Sequence, residues 1–397
     1  MAYKQYLLVI ALLLLFGVAH AQQVPDYQQA DSTTQALYLA GKWQALIDYT
    51  DQTDVQRLNF PALHQRAAYA RFMTGNYSAA LAQYQQVLKH DSYNPTAHYM
   101  SMLCQQYLNR GSNASYQAKF VDTAALNKEN ITPFGLIEAG LEASAKIPNT
   151  ALRGTGFYSR ASLSNRLGWR LQLDQSVAVY HQSISVVGNS DTRDFNFQDF
   201  SFNNDQFEYY ARLGYTLTSN LTLLGAYHYL HTKFGTDSYQ NHIELAGLKY
   251  AAPYFTLQID ANFSRISNSG LQQYNGELTV YPTGSLNLYT ISRVSIQNGY
   301  LSSTVFNQRL GFKAFKCCWL EGSINVGRMD NYLEADALYV YNAVDVTTFK
   351  AGGTLYYQLG RHMLAYANYA FEDKENHYNT NATYQQNSIT GGLTWKF

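Results

Sequence analysis

The sequence predicts a short helical repeat module followed by an antiparallel transmembrane β-barrel of about fourteen strands, with twelve or sixteen as neighbouring counts. Three observations carry this. Hydrophobic periodicity changes from helical to two near Pro133 and stays at two to the end of the sequence. Short turns alternate with longer polar loops along that second part. The final stretch, NSITGGLTWKF, places Ile389, Gly391, Leu393, Trp395 and Phe397 on one face and Ser388, Thr390, Gly392, Thr394 and Lys396 on the other.

Composition agrees with a barrel. Charged residues make up 14% of the 397, aromatics 15%, and Tyr alone occupies 35 positions. Mean hydropathy is −0.29, too low for a bundle of membrane helices. A barrel tolerates this, because only alternate strand residues meet lipid. Zero net charge argues against a nucleic-acid partner.

Residues 1–21 read as a secretory signal. Lys4 gives the positive start, Leu7 to Val18 the apolar run, and Ala19-His20-Ala21 the small-x-small site before Gln22. That run is too short to span a bilayer as a helix. Cys104, Cys317 and Cys318 show no metal-ligand spacing, so no metal or cofactor is expected.

Residues 22–132 form the expected helical module. Pro61 to Asp91 is similar to a tetratricopeptide repeat at Ala67, Ala68, Gly75-Asn76-Tyr77, Ala80, Tyr84 and Leu88. A half-repeat precedes it at Gly41-Lys42-Trp43 and Leu46, and a further helix follows from Pro95 to Leu108. Such modules bind protein segments, so a periplasmic protein is the expected partner. Tyr69, His98 and Tyr99 are the candidate contacts; the competing reading packs these rings between helices.

Residues 133–397 form the expected barrel. Ile137, Ala139, Leu141, Ala143, Ala145 and Ile147 alternate with Glu138, Glu142, Ser144 and Lys146 as the strand that makes the count even. An amphipathic helix is the competing reading there, because Ala, Glu and Leu favour one. Short turns are expected at Asn165-Arg166-Leu167, Thr218-Ser219-Asn220, Ala251-Ala252-Pro253, Pro282-Thr283-Gly284, Phe315-Lys316-Cys317 and Leu359-Gly360-Arg361. Longer loops are expected at about 187–204, 233–239, 329–345 and 372–384, with tighter ones near 267–270 and 298–301. Trp169, Trp319 and Trp395 all fall near the short-turn side, as an aromatic girdle requires.

Function should lie in the lumen, the loops or the module, since the outer face need only be apolar. Alternation sends Arg160, Arg170, Asp174, Glu208, Arg212, Glu244, Asp260, Glu277, Arg309 and Glu321 inward. With Glu138, Glu142, Lys146, Arg293, Lys313 and Lys350 also inward, acids and bases balance at eight each, so mutual pairing across strands is the plain expectation. His242 and Glu244 share one strand face, but no nucleophile motif joins them, and no enzyme activity is expected.

The order of signal peptide, helical module and long barrel, with Tyr158 to Gln182 (YSRASLSNRLGWRLQLDQSVAVYHQ) and the closing strand, resembles the YaiO-type outer-membrane β-barrel family. The resemblance implies a bacterial outer-membrane barrel with a periplasmic module, and no substrate or catalytic residue. Trp395 and Phe397 then resemble the aromatic signal read by the barrel-assembly machinery, with outer-membrane lipid as the surrounding partner. A repeat module before a barrel is also similar to polysaccharide exporters, although those carry long repeat arrays. Two classes of function compete: a channel or export component, with a glycan as one cargo, and a closed scaffold or surface-binding barrel. A lumen or rim hydrolase is the lesser alternative.

Overall fold

The computed structural model describes residues 26–52, 55, 57–186, 200–266, 269–299, 302–376 and 379–397. The expected signal segment 1–21, the centre of the 187–204 loop and the tips near 267–268 and 300–301 lie outside the described residues.

Among the described residues seven helices come first: α1 (Tyr27–Leu39), α2 (Trp43–Thr50), α3 (Pro61–Met73), α4 (Tyr77–His90), α5 (Pro95–Tyr107), α6 (Gly111–Ala118) and α7 (Thr123–Lys128). Their starts follow local chemistry. The Asn76 and Asn94 side chains accept from the Ala79 and Ala97 amides, and Pro61 and Pro95 occupy first turns where a missing N–H costs nothing. Buried Ala67, Ala68 and Ala80 let α3 and α4 approach closely, and Tyr84 fills the space beside them. Truncating a ring buried this completely costs about 3–5 kcal/mol.

Sixteen strands follow among the described residues. Fourteen close into one antiparallel barrel: β1 (Phe134–Pro148), β2 (Gly156–Leu167), β3 (Leu171–Val186), β4 (Phe200–Thr216), β5 (Leu221–Phe234), β6 (Asp237–Ala251), β7 (Phe255–Ile266), β8 (Ser269–Val280), β9 (Leu288–Asn298), β10 (Ser303–Phe315), β11 (Cys318–Met329), β14 (Val346–Leu359), β15 (Met363–Asn376) and β16 (Asn379–Lys396). The barrel closes where β1 pairs β16, from Glu138 opposite Lys396 to Pro148 opposite Gln386. The segment from Ile137 to Ile147 is therefore a strand, not the competing helix. The remaining two, β12 (Leu333–Glu334) and β13 (Tyr339–Val340), pair only with each other.

Burial alternates along the wall with inverted polarity. Val177, Val179, Phe207, Ile259, Ile296 and Ile389 stand exposed on the outside, while Gln206, Glu208, Gln258 and Asp260 are buried inside. An apolar exterior around a polar interior, with no free sheet edge, is what a bilayer demands of a β-structure.

Three boundaries differ from the sequence expectation. The 233–239 loop is a tight hairpin between Phe234 and Asp237, turning at Gly235 with φ +57°. Most of 372–384 is strand: β15 and β16 continue past the apolar belt, with Glu372 and Lys374 inward and ion-paired at 3.2 Å. Polar residues on both faces hide such a strand extension from a periodicity reading. The turn expected at 165–167 lies after Leu167, at Gly168 with φ +111°.

Only Trp395 behaves as a girdle residue, exposed beside His362. Trp169 packs into the core of the helical module, and Trp319 lies under the Lys313 ammonium. Their position near short turns had a different cause: contact with the module and rim.

Candidate functional site: a lumen closed from both ends

The connection between β11 and β14 does not project from the barrel. Residues 330–345 turn inward, and their hairpin β12–β13 sits within the lumen. Apolar residues hold one side: Leu333 and Ala337 pack with Ile243, Ile266 and Val340. Near the entry, Tyr332 and Met329 pack with Val305 and Tyr341. The loop backbone is satisfied by the wall. Gln273 accepts from the Leu333 amide at 3.0 Å and donates to its carbonyl at 2.7 Å. Tyr210 Oη donates to the Asp336 carbonyl at 2.9 Å, and His228 Nδ1 donates to the Ala337 carbonyl at 2.7 Å.

The tip of this plug is strained. Ala335, Asp336 and Ala337 have φ of 52°, 58° and 63°, three consecutive non-glycine residues in the left-handed region. Each such residue costs about 1–2 kcal/mol. Contacts of the Asp336 carboxylate offset that cost: Arg212 Nη1 donates at 2.6 Å, Gln258 Nε2 donates at 2.7 Å, and Arg293 Nη1 lies 3.7 Å away. Both arginines also keep wall carboxylates, Asp174 for Arg212 at 2.7 Å, and Asp260 and Glu277 for Arg293 at 3.4 and 3.3 Å. Losing Asp336 therefore leaves both arginines paired, which avoids the costly event in breaking such pairs.

The loop base is fastened differently. Arg153 grips Asp345 with two bonds of 2.5 and 2.9 Å, both side chains nearly inaccessible, and Tyr384 Oη adds a donor at 2.8 Å. Tyr339 and Tyr366 both donate to Glu142, which also pairs with Arg160 at 3.2 Å. Tyr289 donates to Glu321 and Tyr341 to Glu334, each at 2.7 Å.

The helical module packs across the short-turn end. Arg110, at the start of α6, donates to the carbonyls of Ala252 at 2.7 Å, Phe255 at 3.3 Å and Pro253 at 3.4 Å, above the Tyr281 ring. Asn113 donates to the Ser219 carbonyl, and the Ser78 amide to that of Gly284, both at 2.9 Å. Tyr281, from the turn after β8, belongs to the module's main core with Tyr84 and Met100. Cys104 lies in the same core, and burial pushes its thiol up to about 12, so it stays protonated and inert at neutral pH.

Between module and plug lies a chamber of about 1030 Å³, bounded by Arg110 and Asn113 below, Asp336 above, and Asp174, Arg212 and Lys249 on the wall. A second space of about 410 Å³ lies beside the plug, lined by Glu142, Lys350, Glu372 and Lys374.

Of the ten residues predicted to face inward, Arg160, Asp174, Glu208, Arg212, Asp260, Glu277, Arg309 and Glu321 do so. Glu277 lies between Arg293 and Arg309, and Glu208 lies 3.4 Å from His228. Glu244 does not. On β6 the inward set is Asn241, Ile243 and Leu245, with Glu244 and His242 exposed outside. The cause is the plug, whose apolar side needs Ile243 within the lumen. Arg170 is not on a strand; it sits in the turn after β2, over the Tyr116 ring of the module. Among the module candidates, His98 is buried, bonded through both ring nitrogens to Gln117 and Ser92 and stacked on Phe120. Tyr69 packs against Tyr38 and Trp43, and Tyr99 donates to Glu129.

Sequence reasoning missed the plug itself. One signal was available: residues 330–345 contain Asp330, Glu334, Asp336 and Asp345 and no Lys or Arg. An acidic, partly apolar loop beside a wall rich in arginine has a reason to fold inward.

These features define the class: an outer-membrane type β-barrel whose lumen is closed by its own chain. The chain matches no known protein-family profile, and no curated protein matches it in sequence. Among solved structures it is similar to the outer-membrane protein Omp33 of Acinetobacter baumannii, at 9% identity and TM-score 0.39, covering 66% of this chain and 99% of that one. It is also similar to the toluene transporter TbuX of Ralstonia pickettii, at 10% identity and TM-score 0.44, covering 73% and 98%. A bacterial polysaccharide outer-membrane secretin gives 10% identity and TM-score 0.40, covering 66% and 98%. At such values likeness carries no argument, and the class rests on the barrel's own geometry.

Proposed function

We propose that this protein is a gated channel of the bacterial outer membrane, with loop 330–345 as its lumenal gate and the helical module as a periplasmic lid. The observation that supports it best is the polar chamber of about 1030 Å³ held between the two. A barrel acting only as a scaffold has no need of such a space and fills its lumen with its own side chains. The gate is a loop held at its tip by exchangeable carboxylate contacts, so it can leave without dismantling the wall.

The finer parts of the sequence reading belong to this proposal. The YaiO-type resemblance and the tetratricopeptide-like pattern favour a module that recruits a periplasmic protein, which would pull on α6 and lift Arg110 from the turns. Tyr69 and His98 are committed to packing, so the exposed Tyr93 is better placed as a contact. Glycan cargo gains no support from the lumenal tyrosines, because Tyr289, Tyr339, Tyr341, Tyr366 and Tyr384 bond to carboxylates.

A second reading, the closed scaffold, is favoured by the buried Arg153–Asp345 pair, which ties the loop base to the wall. Single-channel recording in planar bilayers separates the two. The gated channel predicts a mostly silent wild type and steady conductance once residues 331–344 are replaced by a short Gly-Ser linker and Arg110→Ala releases the module from the turns. A silent linker variant, inserted and heat-modifiable on gels, would leave the scaffold.

A further inference from the structure

The gated-channel reading leaves the cargo open, and the chamber narrows it. Building on that reading, we propose that the chamber binds a small carboxylate-bearing solute, and that Asp336 is a tethered stand-in for it. Donors from three different strands converge on the Asp336 carboxylate: Arg212 from β4, Gln258 from β7 and Arg293 from β9. They serve its two oxygens separately, Arg212 on Oδ2 and Gln258 on Oδ1, an arrangement suited to a planar two-oxygen anion. The acceptor is carried by the loop, not by the wall. The receptor for a carboxylate thus belongs to the permanent structure, and its present occupant to the removable part.

Two further observations point to a ligand. Donor capacity around the chamber exceeds what the chain uses. Arg293 is only 3% exposed, yet its Nε–H has no acceptor, and the buried Nε of Arg309 has none either. Lys249 lines the same chamber and makes no hydrogen bond or close ion pair among the described residues. The chamber also opens directly onto Asp336, with a volume at the upper end of the roughly 300–1,000 Å³ typical of ligand pockets.

The exchange balances electrically. A solute carboxylate replaces that of Asp336 on Arg212 and Gln258, while Asp174, Asp260 and Glu277 stay on the arginines. Released from the wall, residues 335–337 regain ordinary backbone conformations, so left-handed strain favours departure of the tip. The solute competes with a tethered carboxylate, and its apparent affinity is lowered by the fraction of time the tip is docked. Removing the competitor must therefore tighten binding.

The test is isothermal titration of the full-length protein in detergent with succinate, and with succinamide as its uncharged counterpart. Asp336→Asn should bind succinate at least tenfold more tightly than wild type. Adding Arg212→Gln to that variant should weaken binding at least tenfold, and succinamide should give no heat with any form. Heat-modifiable mobility on gels checks that each variant is folded. If Asp336→Asn does not fold, the Gly-Ser linker variant of residues 331–344 removes the same competitor and should show the same gain. Failure of both competitor-free variants to bind succinate, or gains that survive Arg212→Gln, would overturn the site. A conducting linker variant that ignores succinate would sink the site and keep the channel; tight succinate binding by a silent barrel would do the reverse.

Discussion

The two closures of this barrel are built on different chemistry. At the short-turn end, Arg110 binds backbone carbonyls and Tyr281 is shared between the turn and the module's core. Carbonyls cannot be neutralised or replaced, and a shared apolar core separates only by exposing both halves to water. At the other closure, the tip of residues 330–345 is held by the Asp336 carboxylate against cations that keep other partners, by Tyr210 and His228 on its carbonyls, and by Leu333 and Ala337 packed on Ile243 and Ile266. Its backbone is strained in the docked state. The first closure is a joint and the second a latch. Permanence follows from what is left behind on separation, not from the number of bonds made.

Substitutions can break or sharpen this contrast. The largest effect is expected from Arg153→Ala, which removes the guanidinium held against buried Asp345 at the loop base. The cost should be about 3–5 kcal/mol, read as a lowered midpoint for loss of the heat-resistant gel form. Arg110→Ala comes next, because it leaves turn carbonyls without their charged donor. A loss of roughly 2–4 kcal/mol is expected, seen as earlier urea unfolding of the helical circular dichroism signal while the barrel's β signal persists.

Asp336→Asn should weaken the latch by about 1.5–3 kcal/mol, raising opening frequency in bilayer recordings at least tenfold with the barrel's heat stability unchanged. If it instead destabilised the barrel as strongly as Arg153→Ala, latch and joint would be the same thing. Ala335→Gly should have a small opposite effect, since the exposed Ala335 occupies a conformation glycine adopts freely. Fewer openings are expected, by less than about 1 kcal/mol. Glu244→Gln, on the outer face, should change neither conductance nor plug docking by more than about 0.5 kcal/mol.

Much of the barrel was legible because lipid imposes a simple code. Period-two alternation found β1 despite its helix-forming Ala, Glu and Leu, and it put Asp174, Arg212 and Glu277 on the strand faces that line the chamber. The code failed where the lumen is not simply polar. Ile243 faces inward because a loop almost a hundred residues later presents Leu333 and Ala337 to that wall. No window around β6 contains that information, so Glu244 was read on the wrong face. The 372–376 segment failed for the converse reason: above the bilayer both strand faces are polar. The latch residues Gln258, Arg293 and Asp336 come together only through closure of the barrel and inversion of the loop. Composition offered one hint, the uncompensated acidity of 330–345.

Hydrogen exchange of the wild-type protein in lipid nanodiscs tests the central claim most directly, because it reads the docked loop without any substitution. With the plug in place, the Leu333 amide bonded to Gln273 and the Tyr341 amide bonded to Tyr332 are withheld from water. Peptides covering 330–345 should then exchange roughly a hundredfold or more slower than an unstructured loop, approaching those of β10. Complete exchange of 330–345 within seconds, alongside a protected β10, would show a loop lying in solvent and contradict the account.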